Sequence, residues 1–259
     1  DADSDGVEGK FHTFKYEKIN NIKDIKKYFE IKPEGNWEGK IILKETQVPP
    51  KEIVTELQKI RNKKNKPFFD NKTQLDLNCM WVICLIDAHN ILPEENYLSK
   101  AENIFQKIEK KFMSEKLFHS NMKSIAFLED YAYAINALIA LDDSTLNPKY
   151  KLKAKELCEE TINDFYIEEK KIFQKNRINS NDLFLNPLDI SDHTIPNGNS
   201  IMLMNLTKLG FLKEAQELAN SLNGYLNIYK SFMTSAIRAL DFFNEVSSGK
   251  NCNDQGCEI

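Results

Sequence analysis

Carboxylates and amides placed where predicted helices begin carry most of the chemical potential of this sequence. Glu129 and Asp130 stand side by side at the start of an apolar helix. Two carboxylates divide the roles of acid and base when their surroundings push their pKa values apart. Consecutive helical residues diverge by about 100°, so one of the pair is predicted to point into the concavity of the fold. Asp70 and Asp192 fall in loops ahead of other apolar helices, where they suit the positioning of a polyhydroxylated ligand. These four carboxylates are the catalytic candidates. Asn197, Asn199 and Ser200 surround Gly198 and offer amide and backbone N–H donors at a helix start, which fits a hydroxyl-rich or anionic ligand. With Asn78 and His193 they make up the candidate substrate-binding set. Each of these residues has a second reading as an ordinary N-cap or helix-start turn, because Asp, Asn and Ser are preferred there.

Such groups act together only if the helices bring them together, and the sequence alternates two kinds of helix. Leu75 to Ile91, Ile125 to Leu141, Ile201 to Leu209 and Ile228 to Phe243 are apolar on most faces. Between them run segments with a single apolar stripe, such as Leu98, Ala101, Phe105, Ile108 and Phe112, or Leu212, Ala215, Leu218 and Leu222. A helix apolar all round is surrounded by protein, whereas a striped one faces water on its far side. The alternation predicts an all-α fold, an (α/α) toroid of helical hairpins with an inner layer wrapped by an outer one. Seven to nine helices are expected, giving an incomplete ring, together with one small β-hairpin from Ile172 to Gln174 and Leu183 to Leu185. An ordinary α-solenoid is the alternative, although no fixed repeat period is visible. Successive helices of hairpins run antiparallel, so the inner helices share a direction and their starts share a rim. That rim collects Asp70, Asp76, Asn78, Glu129, Asp130, Asp192, Asn197 and Asn199. The toroid domain is expected over residues 1–246, and residues 247–259 as an irregular tail.

Composition narrows the function classes. The chain has 259 residues, 41% of them hydrophobic and 29% charged, values of a folded globular protein. Only nine glycines and eight prolines occur, which argues against a turn-rich β fold. A net charge of -4 provides no field to recruit nucleic acid or an anionic membrane. The basic run Arg61, Lys63, Lys64 and Lys66 reads as the cationic end of a helix. The longest apolar run, Cys79 to Ile86, is far shorter than the roughly 20 residues of a membrane span. Five cysteines, an odd number, fit a reducing, cytoplasmic compartment, and the acidic opening of the chain does not read as a secretory leader. Cys79 and Cys84 are expected to be core thiols. His12, His89, His119 and His193 show no metal-ligand spacing, and neither a metal nor another cofactor is expected.

Four blocks resemble the YyaL-like proteins, also called spermatogenesis-associated thioredoxin-domain proteins. They are Asp1-Ala2-Asp3-Ser4-Asp5-Gly6 with Glu8-Gly9-Lys10-Phe11, then Gly35-Asn36-Trp37-Glu38-Gly39, then Lys66-Pro67-Phe68-Phe69-Asp70-Asn71-Lys72 with Asn78, and Phe127-Leu128-Glu129-Asp130-Tyr131-Ala132. Asp192 with Pro196, Gly198, Asn199 and Ser200 falls on a further loop of the family pattern. Departures occur at Asn71, at Leu77-Asn78-Cys79 and at His193. The resemblance implies the C-terminal part of a longer protein, a toroid similar to N-acylglucosamine 2-epimerases and six-hairpin glycosidases, and a thioredoxin-like partner domain. It also includes a terminal cysteine pair, matched by Cys252 and Cys257, which leaves redox exchange with that partner open against a reduced, silent pair. Two functions are therefore expected. One is a carbohydrate-active domain, either a sugar epimerase or isomerase or a glycosidase, whose rim carboxylates act as acid and base. The other is a non-catalytic ligand-binding or interaction module partnering a thioredoxin-like domain.

Overall fold

The computed structural model describes residues 3–114, 116–178, 186, 188 and 190–249, with the backbone of 252–253 and 256–257. Contacts divide the chain into two compact units, residues 1–71 and 72–259, a finer division than the 1–246 domain expected from sequence.

The first unit opens on a hairpin, β1 (Asp3–Ser4) and β2 (Val7–Glu8), closed by Asp5-Gly6 with both residues at positive φ. Asp-Gly is favoured in such two-residue turns because its backbone twist matches that of the strands. Two four-residue helices follow, α1 (Tyr16–Ile19) and α2 (Ile25–Tyr28), then the longer α3 (Lys51–Asn62). Phe14, Ile19, Ile25, Phe29, Ile41, Ile53 and Leu57 form a core of their own. The Gly35–Gly39 block is a tight turn. Gly35 has φ +77°, and a Cβ there would meet Lys40 O at 2.4 Å, so only glycine fits. Lys64 turns inward to donate to the backbone oxygens of Lys10, Phe11 and Thr13, so this member of the basic run is a structural tie.

The second unit is built of helical hairpins. In chain order they are α4 (Leu75–Ile91), α5 (Tyr97–Phe112), α6 (Leu128–Thr145), α7 (Pro148–Phe165), α8 (Gly198–Leu209), α9 (Leu212–Tyr229) and α10 (Thr234–Ser247). Short connections make α4–α5, α6–α7 and α8–α9 antiparallel pairs. α6 packs on α4 and α8, and α8 packs on α10, which gives an inner row; α5, α7 and α9 pack behind it. This is the α/α toroid architecture that the alternation of apolar and striped helices predicts. Sequence chemistry sets the joints. Asn147 caps α7 ahead of Pro148 at the first helical position, and Gly210 closes α8 in the left-handed conformation. α9 extends through Ile228, so the last inner helix starts at Thr234, six residues later than its apolar run suggests.

α4 packs on α5 and α6. Cys79 is fully buried, whereas Cys84, about 140° further round the helix, is exposed and corrects the expectation of two core thiols. Leu77 and Trp81 are exposed on the same helix.

The second arm of the expected hairpin, residues 183–185, lies outside the described residues. Ile172–Phe173 (β4) pairs antiparallel with Tyr166–Ile167 (β3), directly after α7. The Tyr166 and Phe173 rings meet edge to face at 5.0 Å. The Asn199 side chain accepts from Phe173 N and donates to Phe173 O. In the tail, Cys252–Asn253 (β5) pairs with Gly256–Cys257 (β6); the redox state of the two cysteines falls outside the described side chains.

The starts of α6 and α8 meet at Gly198, where an added Cβ would lie 2.9 Å from Leu128 Cγ. Leu128 is itself 1% exposed and has nowhere to move. Gly198→Ala is therefore expected to cost about 1–3 kcal/mol through overpacking, read as a lower urea midpoint at unchanged slope. An unshifted midpoint would show that the two helix starts can separate freely.

Candidate functional site

The starts of α4, α6 and α8 lie around one cavity of about 310 Å³ in the second unit. Each helix start places the positive end of its backbone dipole on this wall, which favours carboxylates in the first turn. Asp76 of α4 and Glu129 and Asp130 of α6 occupy those positions. Phe127, Ile195 and Pro196 supply apolar surface, and His119, Lys175, Ser191, His193, Thr194 and Asn197 complete the polar part of the lining.

Asp130 is the hub of the wall. Its side chain is 0% exposed and accepts from the backbone N–H of Phe127 (2.8 Å) and of Asp76 (3.3 Å). His119 Nδ1 lies 3.0 and 3.1 Å from its two oxygens. On the other side of the ring, Gln74 Nε2 is 2.9 Å from His119 Nε2. An amide nitrogen only donates, so with the Gln74 amide in this orientation Nε2 accepts and Nδ1 carries the proton that it donates to Asp130. Backbone pairing fixes the ring in place: Leu75 N donates to His119 O (2.8 Å) and Asn121 N to Thr73 O (3.1 Å).

Charge states follow from this packing. The hydrogen bond to Asp130 outweighs burial and raises the His119 pKa above its ordinary 6.5. Burial, reinforced by the charge of Asp130, raises Asp76 above the usual carboxylate range. Asp76 is 8% exposed, and Leu77 N donates to its Oδ1 at 2.8 Å. Glu129 is differently placed, with a side chain 13% exposed and Lys175 Nζ 3.7 Å from its Oε1.

The consecutive carboxylates thus separate as their spacing predicts, Asp130 inward as a cap and Glu129 toward the cavity. His193 is exposed and lines the same cavity. Asn197 also reaches it, but its side chain caps α8 through Ser200 N (3.0 Å) and donates to Asp192 (2.9 Å). Asp192 accepts from Asn197 N, Ser235 N, Thr234 Oγ1 and Ser235 Oγ, which ties the starts of α8 and α10 together. Burial works against its charge, yet these bonds from Ser235 and Asn197 hold its pKa below the ordinary value. Asn199 and Ser200 are fully buried and are not part of the lining. Asn78 turns its amide back to Gln74 O at 2.7 Å. Asp70 is exposed and belongs to the first unit.

Oxygens of Asp76 and Asp130 and a ring nitrogen of His119 lie within 4.8 Å of one another, a grouping that sequence spacing did not reveal. Both ring nitrogens and both Asp130 oxygens already hold hydrogen-bond partners, so the cluster is built as a hydrogen-bonded network. Lys175 and Gln74 were also missed. A larger hollow of about 710 Å³ runs along the inner faces of α4, α6, α8 and α10, with Met80, Ile83 and Met204 in its wall. Tyr133 donates to Pro196 O (3.0 Å) beside it, and burial raises the Tyr133 pKa. Among the described residues no helix is long and apolar enough to cross a membrane.

No protein-family profile matches the chain, and no curated protein sequence matches it. Among solved structures, the chain is similar to a cellobiose 2-epimerase from Bacillus thermoamylovorans B4167, with 14% identity and a TM-score of 0.51 over 70% of this chain and 57% of that one. It is also similar to a D-mannose isomerase, with 14% identity and a TM-score of 0.45 over 72% and 63% of the two chains. The chain therefore spans less than two thirds of either. The likeness to the epimerase is one of fold and identifies the α/α toroid.

Proposed function

We propose that the cavity takes a small sugar in its open-chain form, removes the proton from the carbon next to its carbonyl and returns it to the carbonyl carbon, as an aldose–ketose isomerase does, or to the same carbon, as a 2-epimerase does. The observation that carries this reading is the placement on one wall of Asp76, whose pKa burial raises above the usual carboxylate range, and Glu129, held beside Lys175. A volume of about 310 Å³ sits at the small end of the ligand-site range of roughly 300–1,000 Å³. The fold is one in which a cellobiose epimerase is built, which supports the reading by analogy.

In this mechanism Glu129 takes the proton from C2, the C–H electrons form the C1–C2 double bond, and the C1 carbonyl oxygen takes the proton of Asp76. Asp76 then accepts the proton of the O2 hydroxyl while Glu129 returns its proton to C1, which gives the ketose. Asp130 and His119 belong to this wall, exchange no proton with the sugar in this scheme, and act on Asp76 through charge. A glycosidase needs two carboxylates flanking a cleft; here Asp76 and Asp130 share one wall and Asp130 is fully buried. The Asp192 carboxylate serves as a helix cap in this scheme, and Asn199 and Ser200 as supports. A thioredoxin-like domain is the partner that the motif resemblance implies, and the sugar reading does not depend on it.

Incubating the protein with a panel of aldoses and ketoses in deuterium oxide tests the proposal. At least one sugar is expected to gain deuterium at C2 or C1, and Glu129→Gln is expected to lose that exchange. No exchange in any sugar, together with no rise in thermal midpoint across the panel, would overturn it.

A further inference from the structure

His119 lines the cavity, but neither of its ring nitrogens is free to exchange a proton with a ligand: Nδ1 is on Asp130 and Nε2 on Gln74. Its effect on the wall is therefore exerted through charge. A change of charge alters what Nε2 requires, since neutral imidazole with Nδ1–H needs a donor there and imidazolium needs an acceptor. Among uncharged side chains, a carboxamide meets both needs by turning half round, because it carries NH₂ and C=O on the same carbon. Gln74 is so placed. It precedes α4, its backbone is held by the pairing of residues 73–75 with 119–121, and its amide reaches Nε2 at 2.9 Å.

We propose that Gln74 is a positioning residue for the proton chemistry of this wall: by turning its amide it satisfies either protonation state of His119 and so lets the imidazole change charge beside Asp76. The charged groups that act on the ring are Asp76 from α4 and Glu129 and Asp130 from α6, with Lys175 and His193 on the same cavity lining. An imidazolium favours ionised Asp76 and a neutral ring favours its protonated form, so the state of His119 sets how readily Asp76 gives up its proton. The link between Gln74 and His119 stands on geometry; its consequence for turnover rests on the sugar reading.

Two variants separate these levels by ¹⁵N nuclear magnetic resonance of the histidine rings across pH. Gln74→Glu puts an acceptor-only group at Nε2 and is expected to raise the proton affinity of His119 about tenfold or more, as an opposite charge at hydrogen-bond distance does. Gln74→Met keeps the length and removes the hydrogen bond. Its neutral His119 is expected to show an Nε2 resonance moved to that of an unbonded nitrogen, with Nδ1 still protonated by its bond to Asp130. A His119 midpoint unmoved in Gln74→Glu, or an Nε2 resonance identical in wild type and Gln74→Met, would overturn the proposal. With a sugar that exchanges deuterium, Gln74→Glu should move the pH profile of kcat in step with the His119 midpoint and leave KM unchanged. Ring titrations that shift as expected in a protein that exchanges deuterium into no sugar would leave Gln74 in its role and remove the sugar reading. Exchange that persists with ring titrations unmoved would do the reverse.

Discussion

Asp130→Ala is expected to lower the stability of the second unit by about 3–5 kcal/mol, the loss typical when one partner of a buried charged network is removed. The carboxylate is fully buried, and its removal strands the N–H groups of Phe127 and Asp76 and the Nδ1–H of His119. For a unit of this size that loss corresponds to a fall of roughly 6–20 °C in thermal midpoint. Urea unfolding followed by circular dichroism measures it directly, and a loss under about 1 kcal/mol would show that water replaces the carboxylate without strain. The deficit also has a pH dependence whose sign is set by His119. A histidine with a raised native pKa contributes stability fully below its unfolded value of 6.5 and loses it as pH rises through the native value. The gap between wild type and variant should accordingly be widest on the acid side of 6.5 and narrow as pH climbs.

The place of Asp130 also shows what the sequence makes legible. Helix layering could be read because burial on all faces or on one face leaves a periodic trace, and α6 and α7 carry it plainly. The start of α8 could be read because Asn197-Gly198 is a local signal. Of the residues that the common direction of the inner helices assigns to the rim, Asp76, Glu129, Asp130 and Asn197 line one cavity, whereas Asp70, Asn78, Asp192 and Asn199 are not in its lining. The failures have one origin. Gln74, His119 and Lys175 sit in irregular segments and reach the wall through pairings between distant parts of the chain, such as Leu75 N to His119 O. Such pairings leave no periodicity. Asn199 reads from sequence as a ligand donor, but its contact with the Phe173 backbone, 26 residues away, is long-range as well. Asp76 was visible on the rim, yet its proximity to a second buried carboxylate depends on how α4 meets α6.

Asp76→Asn should separate chemistry from architecture. The amide has the shape of the protonated acid but cannot pass its proton on, so kcat for an exchanging sugar is expected to fall about 10²–10⁴-fold, the usual contribution of a positioned general acid. Stability should move the other way. A carboxyl whose native pKa is raised contributes stability below its unfolded value of 3.8 and loses it as pH rises through the native value. Asparagine removes that loss, so at neutral pH the variant should be at least as stable as wild type, with the difference vanishing in acid. Wild-type activity should decline on the alkaline side as Asp76 gives up its proton. A variant that is less stable at neutral pH and still turns over the sugar would make Asp76 a structural group and move the acid elsewhere on the wall. A variant that is inactive and unfolded would leave the two roles confounded in that protein alone, and Asp76→Glu then separates them: a carboxyl returned by one methylene restores proton transfer in part, whereas a packing role gains nothing from it.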